Sequence, residues 1–339
     1  MIVTGAAVLT PFGDLAATVR GLAGVSAIRA GTPDSSTSAA RISDAPERGR
    51  AAFFLQRAAA AALAQAGVER CPALVGTCSG AMDEFEIWRE TAAAPWYGAP
   101  AASLGVPART FSSACTSSLA ALHAAVRMAG EGPVMVAGTD GLCEFTTSGF
   151  AALRATSPEA CRPFSRGRRG LSFGEGAAVL ILESERSAAA RGARRLGEIL
   201  GVGLSSDASH RTSPRADAAG LERAVRQACT EPASVDVYVS HGTGTQASDA
   251  SELVLGARLG LLGKPWLAHK AFIGHAMGAS GLMSLVLALE QMRAGADFSV
   301  PYDDFESGVQ LRGTLAGAQS ALVVAAAFGG SNAAAWVSL

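Results

Sequence analysis

The chain has 339 residues, enough for two or three small domains or one large α/β unit. Hydrophobic residues make up 49% and charged residues 17%, against a usual charged share of roughly 25%. That balance excludes disorder for the bulk of the chain and suits a large compact body or one with a sizeable subunit interface. The 28 basic and 29 acidic residues leave a net charge of −1, so nothing marks a nucleic-acid binder.

The N-terminal Met1-Ile-Val-Thr-Gly5 lacks a basic stretch followed by an apolar core and reads as a buried strand, not a leader. Residues Gly31–Ala40 form a polar, Ser/Thr-rich irregular segment. A helix is predicted over Arg50–Ala66; the longest apolar stretch, Ala51–Gly67, overlaps it, but Gln56, Arg57 and Gln65 rule that stretch out as a membrane span. A buried strand follows at Ala73–Gly76, a helix at Ser117–Ala129, and strands at Val134–Ala137 and Ala178–Leu182. Ser205–Arg215 is a second irregular segment. After it come a helix at Ala218–Cys229, a strand at Val235–Val239, helices at Ser251–Leu262 and Gly281–Ala294, and a strand at Ala321–Ala327. Strands alternating with helices predict α/β architecture with mostly parallel sheets.

Two pairs of segments echo each other. Phe173-Gly-Glu-Gly-Ala-Ala-Val-Leu is matched by Phe328-Gly-Gly-Ser-Asn-Ala-Ala-Ala, and Val134-Met-Val-Ala-Gly-Thr-Asp-Gly by Val237-Tyr-Val-Ser-His-Gly-Thr-Gly. The echoes suggest an internal duplication with a site built between the halves.

Four segments carry residues suited to chemistry. In Thr110-Phe-Ser-Ser-Ala-Cys-Thr, Cys115 precedes an amphipathic helix, whose N-terminal amides and dipole favour a thiolate. The other five cysteines, none at C-x-x-C spacing, read as buried thiols in a reducing, cytoplasmic setting, with no structural metal. In Val239-Ser-His-Gly-Thr-Gly-Thr, His241 leaves a strand into a glycine turn, with Thr243 and Thr245 as compact hydroxyls for a ligand amide or the turn itself. In Lys270-Ala-Phe-Ile-Gly-His-Ala-Met-Gly, His275 stands five residues after Lys270, one of only two lysines. Ala327-Phe-Gly-Gly-Ser-Asn is a glycine turn whose amides can form an oxyanion hole.

These segments, in this order and together with Val3-Thr-Gly, Val136-Ala-Gly-Thr-Asp, Cys161-Arg-Pro-Phe and Phe173-Gly-Glu-Gly, resemble the β-ketoacyl-acyl carrier protein synthases of the thiolase-like condensing enzymes. The resemblance implies a duplicated thiolase-like fold in five α/β/α/β/α layers, one domain of two pseudo-repeats. Residues 1–185 would carry the nucleophile and 186–339 both histidines. It implies Cys115 as nucleophile and His241 and His275 as the histidine pair of an elongating synthase, acting in fatty-acid or type II polyketide or polyene synthesis. Lys270 would order the histidines, and the Cys115 and Phe328 amides would form the oxyanion hole, with Phe328 as gate. Thr243 and Thr245 would meet phosphopantetheine, while Arg48, Arg50 and Arg154 would meet the acyl carrier protein. Arg162, Arg166, Arg168 and Arg169 read as a structural loop network. No metal or organic cofactor is needed beyond the carrier's phosphopantetheine. The implied assembly is a homodimer or a heterodimer with a paralogous subunit, without nucleic acid or membrane.

Two departures stand out. The chain is shorter than typical members, and Ser284 stands where elongating synthases usually have a glutamate, nine residues after the second histidine. They keep open an alternative, a chain-length-factor-like partner subunit.

Overall fold

The computed structural model describes residues 1–22, 26–29, 37–91, 100–128, 130 and 132–339. Residues 31–36 of the first irregular segment, and Ala129 at the end of one predicted helix, lie outside them. The strands are β1 (Ile2–Leu9), β2 (Ala73–Gly76), β3 (Ala108–Phe111), β4 (Val134–Asp140), β5 (Gly176–Glu183), β6 (Gly197–Ser206), β7 (Val237–Val239), β8 (Trp266–Leu267), β9 (Asp297–Phe298), β10 (Gly313–Thr314), β11 (Ser320–Ala326) and β12 (Ser331–Ser338). The α-helices are α1 (Leu15–Gly21), α2 (Arg50–Ala66), α3 (Met82–Thr91), α4 (Ser117–Arg127), α5 (Glu144–Ala152), α6 (Glu185–Ala190), α7 (Ala219–Ala228), α8 (Gln246–Arg258), α9 (Lys270–Ile273) and α10 (Ser280–Arg293).

Ten strands join in the order β3-β2-β4-β5-β1-β6-β12-β11-β7-β8. Read outwards from the central β1–β6 pair, the two halves follow one plan: β1, β5, β4, β2, β3 on one side and β6, β12, β11, β7, β8 on the other. In each half a helix precedes the fourth of these strands (α2 before β2, α7 before β7) and a long helix follows the fifth (α4 after β3, α10 after β8). The Phe173 and Phe328 segments fall at matching places, beside β5 and β12. The Val134 and Val237 segments do not, because β4 matches β11 whereas β7 matches β2. An apolar strand running into a glycine turn is a short-range pattern and does not encode a strand's place in the sheet.

The expectation of mostly parallel sheets is corrected. Pairs β1–β5, β4–β5, β1–β6, β6–β12 and β11–β12 are antiparallel, and only the flanking pairs around β2 and β7 are parallel. The turn from Ala327 to Gly330 is too short for a crossover, so β12 returns antiparallel to β11.

Packing gives five layers. Helix α2 ends at Gly67 in the left-handed region, φ +65°. Its Phe54, Leu55, Ala58 and Ala62 bury against Val75, Met135, Val179 and Ile181 on the outer face of the N-terminal half. Helices α4 and α10 lie between the two halves, and α7 covers β6 and β12 on the far side. The start of α4 rests directly on the sheet: a Cβ on Gly76 would lie 2.4 Å from Ser118 N, and one on Gly138 2.7 Å from Ser118 Cβ. Gly76→Ala is therefore expected to cost about 1–3 kcal/mol by overpacking against main chain. Urea denaturation checks this, and wild-type stability in the variant would contradict such close packing. Among the described residues no helix is long and apolar enough to cross a membrane.

Helix α8 starts at Gln246, earlier than the predicted Ser251. Its first turn hid from the hydrophobic pattern because the residue it buries, Asp249, is an acid.

Candidate active site

Cys115 sits in a tight turn between β3 and α4. The preceding Ala114 has φ +52°, a conformation rarely taken by residues with a side chain. Hydroxyls hold it there: Thr116 Oγ1 donates to Ser113 O at 2.7 Å, and Ser117 Oγ donates to Ala114 O at 2.6 Å while accepting from Ser113 N at 2.9 Å. Burial works against the expected thiolate. Burial dominates and pushes the Cys115 thiol up to about 12, with the Lys270 charge opposing only in part. Alkylation of Cys115 by iodoacetamide should accordingly keep rising with pH through 10, scored against Cys115→Ala. A plateau near pH 7 would show a resting thiolate.

His275 supplies what a protonated thiol needs, an acceptor: its Nε2 lies 3.1 Å from Cys115 Sγ. The loop carrying it crosses the segment before β5 at van der Waals limit. His275 N donates to Ser172 O at 2.8 Å and Gly174 N to His275 O at 3.0 Å. A Cβ on Gly274 would fall 2.0 Å from Phe173 O, and one on Gly174 2.2 Å from Ile273 O. This crossing is why the Phe173-Gly-Glu-Gly and Gly-His-Ala-Met motifs belong to one site. On the other side of the ring, His275 Nδ1 and Ser280 Oγ are 2.8 Å apart. A hydroxyl can accept from or donate to that nitrogen, so it serves either tautomer.

His241 follows β7, and its ring meets that of His275 edge-on, centroids 5.3 Å apart. Its Nδ1 is buried and has no hydrogen-bond partner among the described residues. A stranded lone pair is tolerated better than a stranded N–H, which favours the tautomer with the proton on Nε2. Burial, with the Lys270 charge added, holds both imidazoles neutral, well below the ordinary histidine value.

Lys270 is buried and donates through Nζ to His241 O at 2.5 Å. Burial lowers its pKa, and Glu252 is the principal opposing influence. That buried carboxylate also accepts from His241 N (2.9 Å), Gly242 N (2.7 Å) and Tyr238 Oη (2.8 Å). Ser284 is buried on α10, and the negative charge beside Lys270 comes instead from α8. Asp249, one turn earlier, accepts from Thr243 N, Gly244 N and Phe164 N, and burial pushes it up to about 7. Neither acid, nor Ser280, stands out in the sequence. The usable sign was a pair of acids three residues apart on the helix following the histidine turn.

A cavity of about 320 Å³ opens onto Cys115, His241, His275 and Phe328. Thr243 and Thr245 line it with hydroxyls 3.0 Å apart. Phe328, half-buried, stacks on Phe150 with centroids 4.9 Å apart. Among the described residues neither the Cys115 nor the Phe328 N–H has a backbone acceptor. The carrier-contact expectation for Arg50 is corrected. The side chain is buried in an ion pair with Glu175, Nε to Oε2 at 2.8 Å, and no docking protein can reach it. Arg48 and Arg154 are exposed, and Arg154 lies on the cavity wall. In the loop network, Arg162 pairs with Asp304 and Arg168 with Glu306. Arg169 instead lines the cavity.

Residues 99–188 match the family model for the β-ketoacyl synthase N-terminal domain and residues 196–297 that for its C-terminal domain, together more than half of the chain. The chain belongs to the β-ketoacyl synthase family. Among relatives of this chain, nodulation protein E of Rhizobium meliloti is 44% identical over 161 residues, 44% of this chain and 39% of that protein. The 3-oxoacyl-[acyl-carrier-protein] synthase 2 of Rhizobium meliloti (strain 1021) is 33% identical over 253 residues, 67% of this chain and 59% of that protein. The matches thus span less than two thirds of these curated relatives. A solved structure, the ishigamide ketosynthase/chain length factor, superposes with a TM-score of 0.85 at 26% identity, over 99% of this chain and 98% of that one. Ketosynthases of this kind have the thiolase-like fold of duplicated α/β halves described above.

Proposed function

We propose that this ketosynthase catalyses decarboxylative Claisen condensation of an acyl thioester with malonyl-acyl carrier protein, giving a β-ketoacyl-acyl carrier protein, in fatty-acid or type II polyketide or polyene synthesis. The observation that carries this reading is the Cys115 Sγ–His275 Nε2 contact at 3.1 Å, with the second imidazole edge-on in the same cavity.

Cys115 attacks the acyl carbonyl and passes its proton to His275 Nε2. The amides of Cys115 and Phe328 hold the oxyanion, and the departing pantetheine thiol takes the proton back. Malonyl thioester then enters. Its carboxylate C–C bond breaks, CO2 leaves, and the electron pair passes into an enolate whose oxygen accepts from Nε2–H of both histidines. For His275 this requires a change of tautomer, the Nδ1 proton leaving to solvent and Nε2 taking one up, so that Ser280 now donates to Nδ1, the reverse of its role during acylation. The enolate carbon attacks the acyl carbonyl, the bond to Cys115 Sγ breaks, and a proton from solvent restores the thiol. Neutral imidazoles suit both tasks, since an imidazolium could not accept the thiol proton. Lys270 and Glu252 act through His241, fixing its main chain on both sides.

No cofactor is invoked beyond the carrier's phosphopantetheine, toward which Thr243 and Thr245 present their hydroxyls. A second ketosynthase subunit, identical or paralogous, is proposed to cover the exposed edge strand β3 and helix α5, none of whose residues is buried. The assembled Cys115–His275 pair counts against a purely non-catalytic partner subunit. Intact-mass spectrometry with acyl-carrier protein tests the reading. Wild type should gain the acyl mass and Cys115→Ala should not; a wild type that never acylates with any chain length would overturn it.

A further inference from the structure

The described residues lining the Cys115 cavity include two guanidiniums, Arg154 and Arg169, and no acidic side chain. Both arginines are exposed whereas Cys115, His241 and His275 are buried, which sets the charges at the outer end and the thiol at the inner. Their segments are tied side by side. Leu171 N donates to Ala155 O at 2.9 Å and Ser157 N to Leu171 O at 2.8 Å, and a Cβ on Gly170 would lie 2.7 Å from Ala155 O. Arg154 itself is held in the left-handed region, φ +55°, with its N–H on Ala151 O at 2.9 Å.

Two neighbouring arginines have acidic partners, Arg162 in Asp304 and Arg168 in Glu306. Arg154 and Arg169 have no side-chain hydrogen bond or ion pair among the described residues. Two like charges carried on adjacent backbone segments at the mouth of one cavity favour an anion there. The guanidinium fork matches phosphate oxygens, and the hydroxyl residues Thr212, Ser213 and Ser248 line the same cavity. The malonyl carboxylate is excluded as this anion, because it must reach the buried imidazoles to lose CO2.

We propose that Arg154 and Arg169 form a phosphate-binding pair that reads the phosphate ester on the substrate's pantetheine arm. The inference rests on the condensing reading above. Its phosphate can come from carrier-bound phosphopantetheine or from the diphosphate of coenzyme A.

The test compares kcat/KM for acylation of Cys115 by the same acyl group on pantetheine, phosphopantetheine and coenzyme A. Wild type should prefer phosphopantetheine over pantetheine by roughly ten- to a hundredfold. The double variant Arg154→Gln/Arg169→Gln should bring that ratio close to one, and Arg154→Lys/Arg169→Lys should retain part of it. A coenzyme A thioester that exceeds phosphopantetheine, and loses its advantage in the glutamine variant, would assign the pair to the diphosphate. Equal rates for pantetheine and phosphopantetheine in wild type, or a preference that survives in the glutamine variant, would overturn the proposal. Calorimetric titration of phosphopantetheine and pantetheine into Cys115→Ala, with and without the glutamine substitutions, decides the same question without catalysis. If no thioester acylates Cys115, the condensing reading fails while the titration still judges the arginine pair.

Discussion

With His275 replaced by alanine, condensation is expected to fall by roughly 10²–10³-fold, and acylation of Cys115 to slow as well. His241→Ala should slow condensation by a similar factor yet leave acylation close to wild type. The asymmetry follows from geometry. Of the two histidines only His275 hydrogen-bonds the sulfur among the described residues, at 3.1 Å, and the thiol, pushed up to about 12 by burial, must hand its proton to that nitrogen before it can attack. His241 stands edge-on to His275 and has no such contact, so its part begins when negative charge gathers on the enolate oxygen. Single-turnover mass spectrometry of the acyl adduct, run beside a CO2 assay, separates the two steps. Equal slowing of acylation in both variants would contradict the assignment.

The second large effect is on stability. Arg50→Ala should destabilise the fold by about 3–5 kcal/mol, the usual result of leaving one member of a buried ion pair alone. The Glu175 carboxylate it would abandon also accepts from Ile42 N at 2.8 Å and Leu142 N at 3.1 Å. Arg50 in turn donates to Pro46 O at 2.8 Å and Ile42 O at 2.9 Å, so the pair fastens the 42–50 segment to the strand end beside the site. Replacing both members together, Arg50→Met with Glu175→Leu, should cost less, because no buried charge is then left unpaired. Urea denaturation measures both. Wild-type stability in Arg50→Ala, combined with a raised KM for carrier-bound substrate, would instead restore a docking role for this arginine.

Much of the site was legible because its residues break an otherwise apolar text. Cys115, His241 and His275 each stand beside glycines or small residues at the end of a strand or the start of a helix, where main chain must pass closely. The Gly274–Phe173 and Gly174–Ile273 approaches show the physical demand behind two of those motifs. The supporting charges were not legible. Asp249 and Glu252 carry no signal in a hydrophobic pattern, yet both are buried, each accepting main-chain N–H groups from the histidine turn. Arg50 read as a surface arginine for the same reason, since its partner Glu175 lies 125 positions away. Arg169 erred in the opposite direction, sharing a loop with paired arginines but not their acids. Strand direction was equally hidden, because a short apolar run looks the same whether its neighbour runs parallel or antiparallel.

The most direct measurement of the central claim is the fate of an acyl-Cys115 adduct, purified free of donor and mixed with malonyl-carrier protein labelled in its free carboxylate. The account predicts that each adduct discharged releases one labelled CO2 and yields one β-ketoacyl-carrier protein. An adduct that persists without CO2 release, or one that disappears as free acid with no β-ketoacyl product, would contradict it.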